Sequence, residues 1–204
     1  MKLSASVSMW VVVFGAVLFW SGWNPYDRYI WVLEVLPAVV AALVLARTRR
    51  NFQLTPLVYQ LVLIHCVVLL VGGHYTYARV PFGDWFMELL DLQRNHYDKL
   101  GHLFQGLVPT LVAREVILRV RVLARGGWLN FFLLCFALAV SAFYELIEWW
   151  VAVFSETAAD AFLGTQGYVW DTQSDMAMAL LGSLMGIIAL GRCHDHQLRR
   201  SSSS

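Results

Sequence analysis

Residues 128–154 read WLNFFLLCFALAVSAFYELIEWWVAVF. A helix needs about 20 mainly apolar residues to cross a bilayer, and this run exceeds that length with only two charged side chains, Glu145 and Glu148. Ionisable side chains are costly inside a membrane, so they usually face the interior of a helix bundle and mark a functional site. The segment therefore predicts a membrane-spanning helix that contributes carboxylates to a buried polar site.

Five further apolar stretches accompany this run, at residues 7–23, 29–46, 55–73, 98–120 and 171–190. The chain has 204 residues, of which 59% are hydrophobic and 14% charged, whereas soluble domains average about 45–50% and about 25%. This composition excludes a water-soluble monomer and intrinsic disorder, and no basic run indicates nucleic-acid binding. We predict an all-α polytopic membrane protein with six transmembrane helices in one bundle (residues 1–191) and a polar cytoplasmic tail (residues 192–204).

The distribution of basic residues predicts the orientation of these spans. Loops that face the cytoplasm are enriched in Lys and Arg. Eleven of the 15 bases lie before the first span, after the second, around the end of the fourth or after the sixth, and eleven of the 14 acids lie toward the opposite side. We therefore expect both termini in the cytoplasm and the acidic side in the periplasm of a bacterial inner membrane. The first stretch ends in bulky FWSGW, which favours an uncleaved span over a signal peptide.

Three predicted spans place polar side chains near their outer ends. In the fourth span Asp98, His102 and Gln105 are spaced i, i+4, i+7 and share one helix face. Two further pairs share a helix face in the same way, Glu145 with Glu148 in the fifth span and Asp171 with Asp175 in the sixth. His96 lies just before the fourth span, at its outer end. A random distribution of polar residues would not place these side chains at a similar depth in three spans. The pattern therefore predicts one polar cluster between spans four, five and six.

Imidazole and carboxylate groups suit a divalent metal such as Zn²⁺, Mn²⁺ or Mg²⁺, and they also suit acid–base chemistry. We expect the metal ligands to come from a set of five residues: His96, Asp98, His102, Asp171 and Asp175. Glu145 or Glu148 would act as general base or acid on a lipid or an envelope precursor at the outer leaflet. Two alternatives stay open, a salt-bridge network that serves a non-catalytic envelope or scaffold protein, and an ion or proton translocator. The oligomeric state cannot be read from the sequence.

Several single features support or surround this site. Pro109 is expected to kink the fourth span, and the small residues Gly182 and Gly186 allow another helix to approach the sixth. Residues 84–93 predict a short helix lying on the membrane, and residues 164–167 a tight loop that could close over the site. The remaining ionisable groups have simpler interpretations: a buried Glu34 with one hydrogen bond, snorkelling Arg114 and Glu115, and a solvated tail that contains His194 and His196.

Four segments carry a resemblance to a known family: GGHYTYARVPFG (72–83), RNHYDKLGHLFQG (94–106), AFYELIEWW (142–150) and FLGTQGYVWDTQSDMAMALLG (162–182). They resemble the YjdF-like family of bacterial inner-membrane proteins over nearly the whole chain. The family has no assigned biochemical function, so the resemblance implies a polytopic inner-membrane protein and adds no reaction.

A weaker likeness is to the VanZ-like family, which is associated with glycopeptide-antibiotic tolerance and the cell envelope. Asp98, Lys99 and His102 match that family's Asp-Lys-x-x-His start of a span, while a later glutamate and Asp175 with Gly182 match the rest of its pattern. The chain departs from the pattern because no arginine directly precedes Asp175 and Ala179 replaces an asparagine. The likeness implies an outward-facing polar site in a small helical bundle.

Overall fold

The computed structural model describes residues 5–154 and 165–201, and every regular element in these two ranges is helical. This confirms the all-α fold class. The helices are α1 (Ala5–Gly22), α2 (Arg28–Thr48), α3 (Pro56–Tyr75), α4 (Pro81–Leu89), α5 (Tyr97–Val120), α6 (Gly127–Phe154), α7 (Asp171–Met185) and α8 (Gly191–Ser201). A 3₁₀ turn (Tyr77–Arg79) precedes α4, and a π-helical segment (Gly186–Leu190) joins α7 to α8.

Four helical segments are long and apolar enough to cross a membrane, namely Arg28–Thr48, Pro56–Tyr75, Gly127–Phe154 and Asp171–Arg200, and Ser6–Gly22 is a shorter apolar helix. Large apolar side chains such as Phe131, Phe143 and Phe154 are exposed along α6. Exposed apolar surface of this extent is expected where lipid replaces water. These features are consistent with the membrane protein predicted from composition.

Local sequence explains where several helices begin and end. The Asp27 carboxylate accepts hydrogen bonds from the backbone N–H groups of Tyr29 and Ile30, at 2.8 and 3.0 Å, and so caps α2. Proline occupies the first position of both α3 and α4, where its missing N–H removes no helical hydrogen bond. Helix α5 ends at Val120, because the next residue, Arg121, adopts a left-handed conformation with φ of 63°.

Helix α5 packs most closely against α7. A Cβ at Gly106 would collide with the backbone carbonyl of Ala179, and a Cβ at Gly182 would collide with that of Leu103. Thr110 donates a hydrogen bond of 2.8 Å to Ser183 across the same interface. The predicted close approach at Gly182 is therefore present, with Gly106 of α5 as the second small residue.

The other helices form a row beside this pair. Helix α2 packs on α3, α3 on α5, and α5 on α6, while α1 covers α3 and α7 also contacts α6. In the described part of the chain, α2 and α6 make no extensive contact with each other. The row therefore leaves a gap between α2 and α6, with α3 and α5 forming its back wall.

The short helix predicted at residues 84–93 is present, but it begins at Pro81 and ends at Leu89, because Asp91 adopts a φ of 51° that a helix does not allow. Its exposed face carries Phe82, Trp85, Phe86 and Leu89. Such a face suits the membrane surface predicted for it. Gly164 lies outside the described residues, so the structure shows the predicted loop at 164–167 only from Thr165 onward. Ser202–Ser204, the end of the predicted tail, also lie outside them.

Helix α8 continues the sixth predicted span through Ser201 and buries His194 completely, so the interpretation of a solvated tail is wrong for His194, whereas His196 is exposed as predicted. Snorkelling of Arg114 and Glu115 is also wrong, since both side chains are buried. Together with Thr55, Arg119, His194 and Asp195 they form what we call the Glu115 cluster. Glu115 accepts hydrogen bonds from the backbone N–H of Thr55 at 2.9 Å, from its hydroxyl at 2.8 Å and from Arg119 at 3.0 Å.

Two further contacts close the Glu115 cluster. His194 Nε2 lies 3.1 Å from Glu115 Oε2, the oxygen that accepts from the Thr55 hydroxyl, and Arg114 donates to Asp195 at 2.8 Å. Residues near the ends of neighbouring helices supply these groups, since Thr55 directly precedes α3 and His194 lies near the start of α8. The cluster therefore ties α3, α5 and α8 together at one end of the bundle.

Candidate functional site

Three helices converge on the imidazole of His102 in α5. Its Nε2 lies 3.5 Å from Asp98 Oδ1, 3.8 Å from Asp175 Oδ1 in α7 and 4.0 Å from Glu145 Oε1 in α6. Its other nitrogen, Nδ1, lies 2.8 Å from Gln105 Oε1. Because Gln105 and Asp98 are one turn from His102 on either side, the spacing seen in the sequence orients the ring. We call Asp98, His102, Glu145 and Asp175 the His102 cluster.

Three members of the His102 cluster have the arrangement of metal ligands. One ligand atom each from Asp98, His102 and Asp175 lies within 4.8 Å of the others. Ligands that sit about 2.0–2.6 Å from one ion are separated by distances of this size. His102 and Asp175 are buried, and Asp98 is half-buried. The group therefore has the ligand types and the spacing that a divalent cation requires.

Glu145 adds an unsatisfied oxygen to the same place. Its Oε1 is buried and has no hydrogen-bond partner among residues 5–154 and 165–201. A buried polar atom without a partner is unfavourable unless a ligand or an ion supplies one. Glu145, predicted as a catalytic group, is thus placed to complete a coordination shell or to accept a proton beside it.

Asp171 and His96 stand apart from the three-residue group. Asp171 pairs with Arg94 at 2.7 Å and with Lys99 at 2.8 Å. His96 is half-buried at the start of α5 and belongs to no metal-ligand group in the described chain. Partial burial, and then the positive charges of Arg94 and Lys99, lower the pKa of His96 from its ordinary value. Of the five predicted ligands, the structure brings together Asp98, His102 and Asp175.

Lys99 links the two parts of the site. Its ammonium group lies 2.6 Å from Asp175 and 2.8 Å from Asp171, which are one turn apart on α7. The segment that precedes α7 also contacts the segment that precedes α5, since Gln166 and Asn95 exchange hydrogen bonds at 3.1 and 2.9 Å. Arg94 stacks on the ring of Tyr168, 4.3 Å from its centroid. These contacts hold the mouth of the site together.

A cavity of about 650 Å³, the central cavity, begins beside the His102 cluster and runs along α5. Its polar end is lined by Glu34, His65, Tyr77, Asp98, His102, Gln105, Tyr144 and Glu148. Its other end is lined by apolar residues, among them Val112, Ile117 and Phe136. Pro109, predicted to kink the helix, lies in the wall between the two ends. Volumes of this size are typical of ligand sites.

The two predicted catalytic glutamates occupy different surroundings. Glu145 points to His102, whereas Glu148, 9% exposed, lines the central cavity. Glu34, 5% exposed, lines the same cavity, so its predicted burial is confirmed, but the hydrogen bond predicted for it is absent within the described ranges. An ionisable residue inside a predicted span was the available signal for Glu34. The predicted span at residues 29–46, however, contains no other Asp, Glu, His, Lys or Arg that would connect it with span four.

Comparison with known proteins identifies two matches. Residues 6–196 match a family described as predicted membrane protein (DUF2238). The chain is 51% identical over 184 residues to a protein of Escherichia coli (strain K12) named inner membrane protein YjdF. The alignment covers 90% of this chain and 88% of that relative. No solved structure matches the chain.

Proposed function

Since this chain belongs to the DUF2238 family of predicted membrane proteins, we propose that it is a metal-dependent inner-membrane enzyme, a hydrolase or transferase, that acts on a lipid or a lipid-linked envelope precursor. Family membership confirms the resemblance and the inner-membrane location predicted from the sequence. The observation that carries the proposal is the group of three ligand atoms from Asp98, His102 and Asp175 at the polar end of the central cavity.

The proposal includes a topology of six spans with both termini in the cytoplasm, formed by α1, α2, α3, α5, α6 and the continuous α7–α8 segment. The distribution of Lys and Arg supports this orientation, which places the His102 cluster near the periplasmic face. A reporter active only in the periplasm, fused to the C-terminus, is expected to be inactive. Activity of that fusion would contradict the orientation.

A divalent cation in the His102 cluster would polarise a phosphoryl or carbonyl oxygen or activate a water molecule. Glu145 stands beside His102 with an unsatisfied oxygen, which suits a proton acceptor. Lys99 holds Asp175, and Gln105 holds His102. The last two contacts orient the ligand side chains, as partners of metal ligands commonly do.

Elemental analysis of the purified full-length protein tests the metal. After incubation with Zn²⁺, Mn²⁺ or Mg²⁺ and removal of free ion, the wild-type protein is expected to retain one of them. His102→Ala and Asp175→Asn are expected to lose it, whereas Glu88→Gln, on the exposed surface of α4, is expected to keep it. A wild-type protein without metal, or variants that retain it fully, would overturn this part of the proposal.

The second candidate function is a non-catalytic envelope or scaffold protein. The bridge from Lys99 to Asp171 and Asp175 favours it, because this lysine already neutralises part of the negative charge of α7. In that case His102→Ala would lower the stability of the protein. The same variant with a stabilising substitution far from His102 would recover the cellular phenotype. If the stabilised variant folds normally but stays without function, the scaffold candidate fails.

A further inference from the structure

The polar end of the central cavity is rich in carboxyl groups, and neither Lys nor Arg occurs among the described residues that line it. Its carboxyl groups are those of Glu34, Asp98 and Glu148. Its bases are two histidines, and His102 already faces three carboxylates. Glu34 and Glu148 have no ion-pair partner in the part of the chain that the structure describes. Buried carboxylates of this kind are unfavourable unless a positive charge or hydrogen-bond donors meet them.

Three of the four basic residues on this side of the bundle are used elsewhere, and the fourth, Arg28, is exposed at the start of α2. Arg94 and Lys99 bind Asp171, and Lys99 also binds Asp175. Arg79 stacks on the ring of Tyr26, at 4.3 Å from its centroid. None of these four bases lines the central cavity. An anionic group that entered the polar end without a metal would therefore meet carboxylates and find no arginine or lysine.

The shape of the cavity favours a lipid as its occupant. Helices α2 and α6 flank it without extensive contact to each other, so its open side lies where hydrocarbon surrounds the bundle. Its lining on α5 extends from Asp98 to Ile117, which corresponds to about 28 Å at the helical rise. A hydrocarbon chain can thus enter sideways and lie against the apolar end while its headgroup reaches the carboxylates.

We propose that the central cavity binds a membrane lipid whose headgroup carries an ammonium group, with Glu34 and Glu148 as its carboxylate partners. An ammonium group donates up to three hydrogen bonds and supplies the positive charge that the cavity lacks. The aromatic rings of Tyr77 and Tyr144 line the same end and attract cations through their faces. In a zwitterionic lipid the phosphate would then be free to face the His102 cluster.

This inference names the substrate class of the proposed function, but the binding of the lipid does not depend on the reaction. A metal at the His102 cluster would meet the phosphate, whereas Glu34 and Glu148 meet the ammonium group. The two claims therefore use different residues and can fail separately.

The test compares three lipids with identical acyl chains on the full-length protein in detergent, with binding measured by native mass spectrometry. The lipids are phosphatidylethanolamine, its N-acetylated derivative (which keeps the phosphate but lacks the ammonium group) and phosphatidylglycerol. Phosphatidylethanolamine is expected to bind about tenfold more tightly than either, as loss of a charged hydrogen bond predicts. Equal or tighter binding of either comparison lipid would overturn the inference, and this arm requires no variant to fold.

Variants connect the preference to the residues. The double variant Glu34→Gln with Glu148→Gln keeps side-chain shape and is expected to abolish the preference while retaining any metal. The control variant Glu88→Gln is expected to keep the preference. A double variant that still prefers phosphatidylethanolamine would overturn the assignment to these glutamates. A preference that persists in Asp175→Asn, together with a wild-type protein that binds no metal, would refute the proposed function and leave this inference standing.

Discussion

The Glu115 cluster and the His102 cluster are both built around a buried histidine and a carboxylate of α5, yet their hydrogen bonding differs. In the Glu115 cluster both carboxylate oxygens have partners between 2.8 and 3.1 Å, from Thr55, Arg119 and His194. In the His102 cluster the imidazole lies 3.5–4.0 Å from its three carboxylates, and Glu145 keeps an oxygen without a hydrogen bond.

We interpret the difference as that between a structural network and a candidate ligand site. A network that satisfies all its polar groups rigidifies the helices that contribute to it, whereas partly satisfied groups retain capacity for a ligand. The Glu115 cluster fixes α3 and α8 on α5. The His102 cluster gathers excess carboxylate beside a cavity. Burial of charge alone would not have distinguished the two, because both contain side chains almost removed from solvent.

The largest expected effect comes from breaking the Glu115 cluster. Glu115→Ala removes the acceptor for Thr55, Arg119 and His194 and leaves buried donors unpaired, so it should lower the free energy of unfolding by about 3–5 kcal/mol. Thermal unfolding of the purified protein in detergent measures this, with Glu88→Ala as an exposed control. A loss no larger than that of the control would show that the network is not structural.

Added metal should stabilise the protein through the His102 cluster and leave the Glu115 cluster unaffected. Saturating Mn²⁺ or Zn²⁺ is expected to stabilise the wild-type protein by about 2.7 kcal/mol when the ion is at 100 times its dissociation constant. His102→Ala should remove this gain, while the Glu115→Ala variant should keep it if it remains folded. Equal stabilisation of wild type and His102→Ala would place the ion outside the His102 cluster.

A smaller effect is expected where α5 and α7 meet between the clusters. Gly106→Ala places a methyl group against the carbonyl of Ala179, and overpacking of this kind costs about 1–3 kcal/mol. Because Asp175 lies on α7, the same change should weaken metal retention. Gly15→Ala in α1 is the control, since nothing lies within 4 Å of its new methyl group. Unchanged stability and metal content would contradict the close packing described at Gly106.

The smallest effect on stability is expected at Glu148. Glu148→Gln removes a carboxylate without a described partner but keeps its volume, so stability should change by no more than about 0.5 kcal/mol or increase. Thermal unfolding beside Glu115→Ala gives the comparison directly. A loss as large as that of Glu115→Ala would mean that Glu148 belongs to a structural network and would remove it from the site.

Much of this structure followed from local pattern. Each predicted span lies within a few residues of an observed helix, because long apolar runs, an aspartate cap and helix-initial prolines are local signals. The faces shared by Asp98 with His102 and by Asp171 with Asp175 follow from the helical period alone. The helical period does not indicate which side chains on different helices come into contact. The prediction therefore includes Asp171 among the metal ligands, although Arg94 and Lys99 bind it in the structure.

The misjudged residues have a common cause. The residues that surround Glu34, Glu115 and His194 in space are distant from them along the chain. The sequence around each of the three therefore contains no sign of its neighbours. Glu115 meets Thr55 and His194 only because α3, α5 and α8 pack at one end of the bundle. Contacts between distant segments depend on helix packing, which a single sequence does not specify residue by residue.

Local sequence was enough to predict an all-α membrane protein, the positions of its helices and their polar faces, because hydropathy and periodicity are properties of neighbouring residues. Tertiary structure alone decided that one histidine–carboxylate group is closed and the other open, since hydrogen bonding depends on the distances between helices. It also decided that α2 and α6 stay apart. That gap forms the central cavity and gives Glu34 a place beside Glu148, although the two residues lie at opposite ends of the helix row.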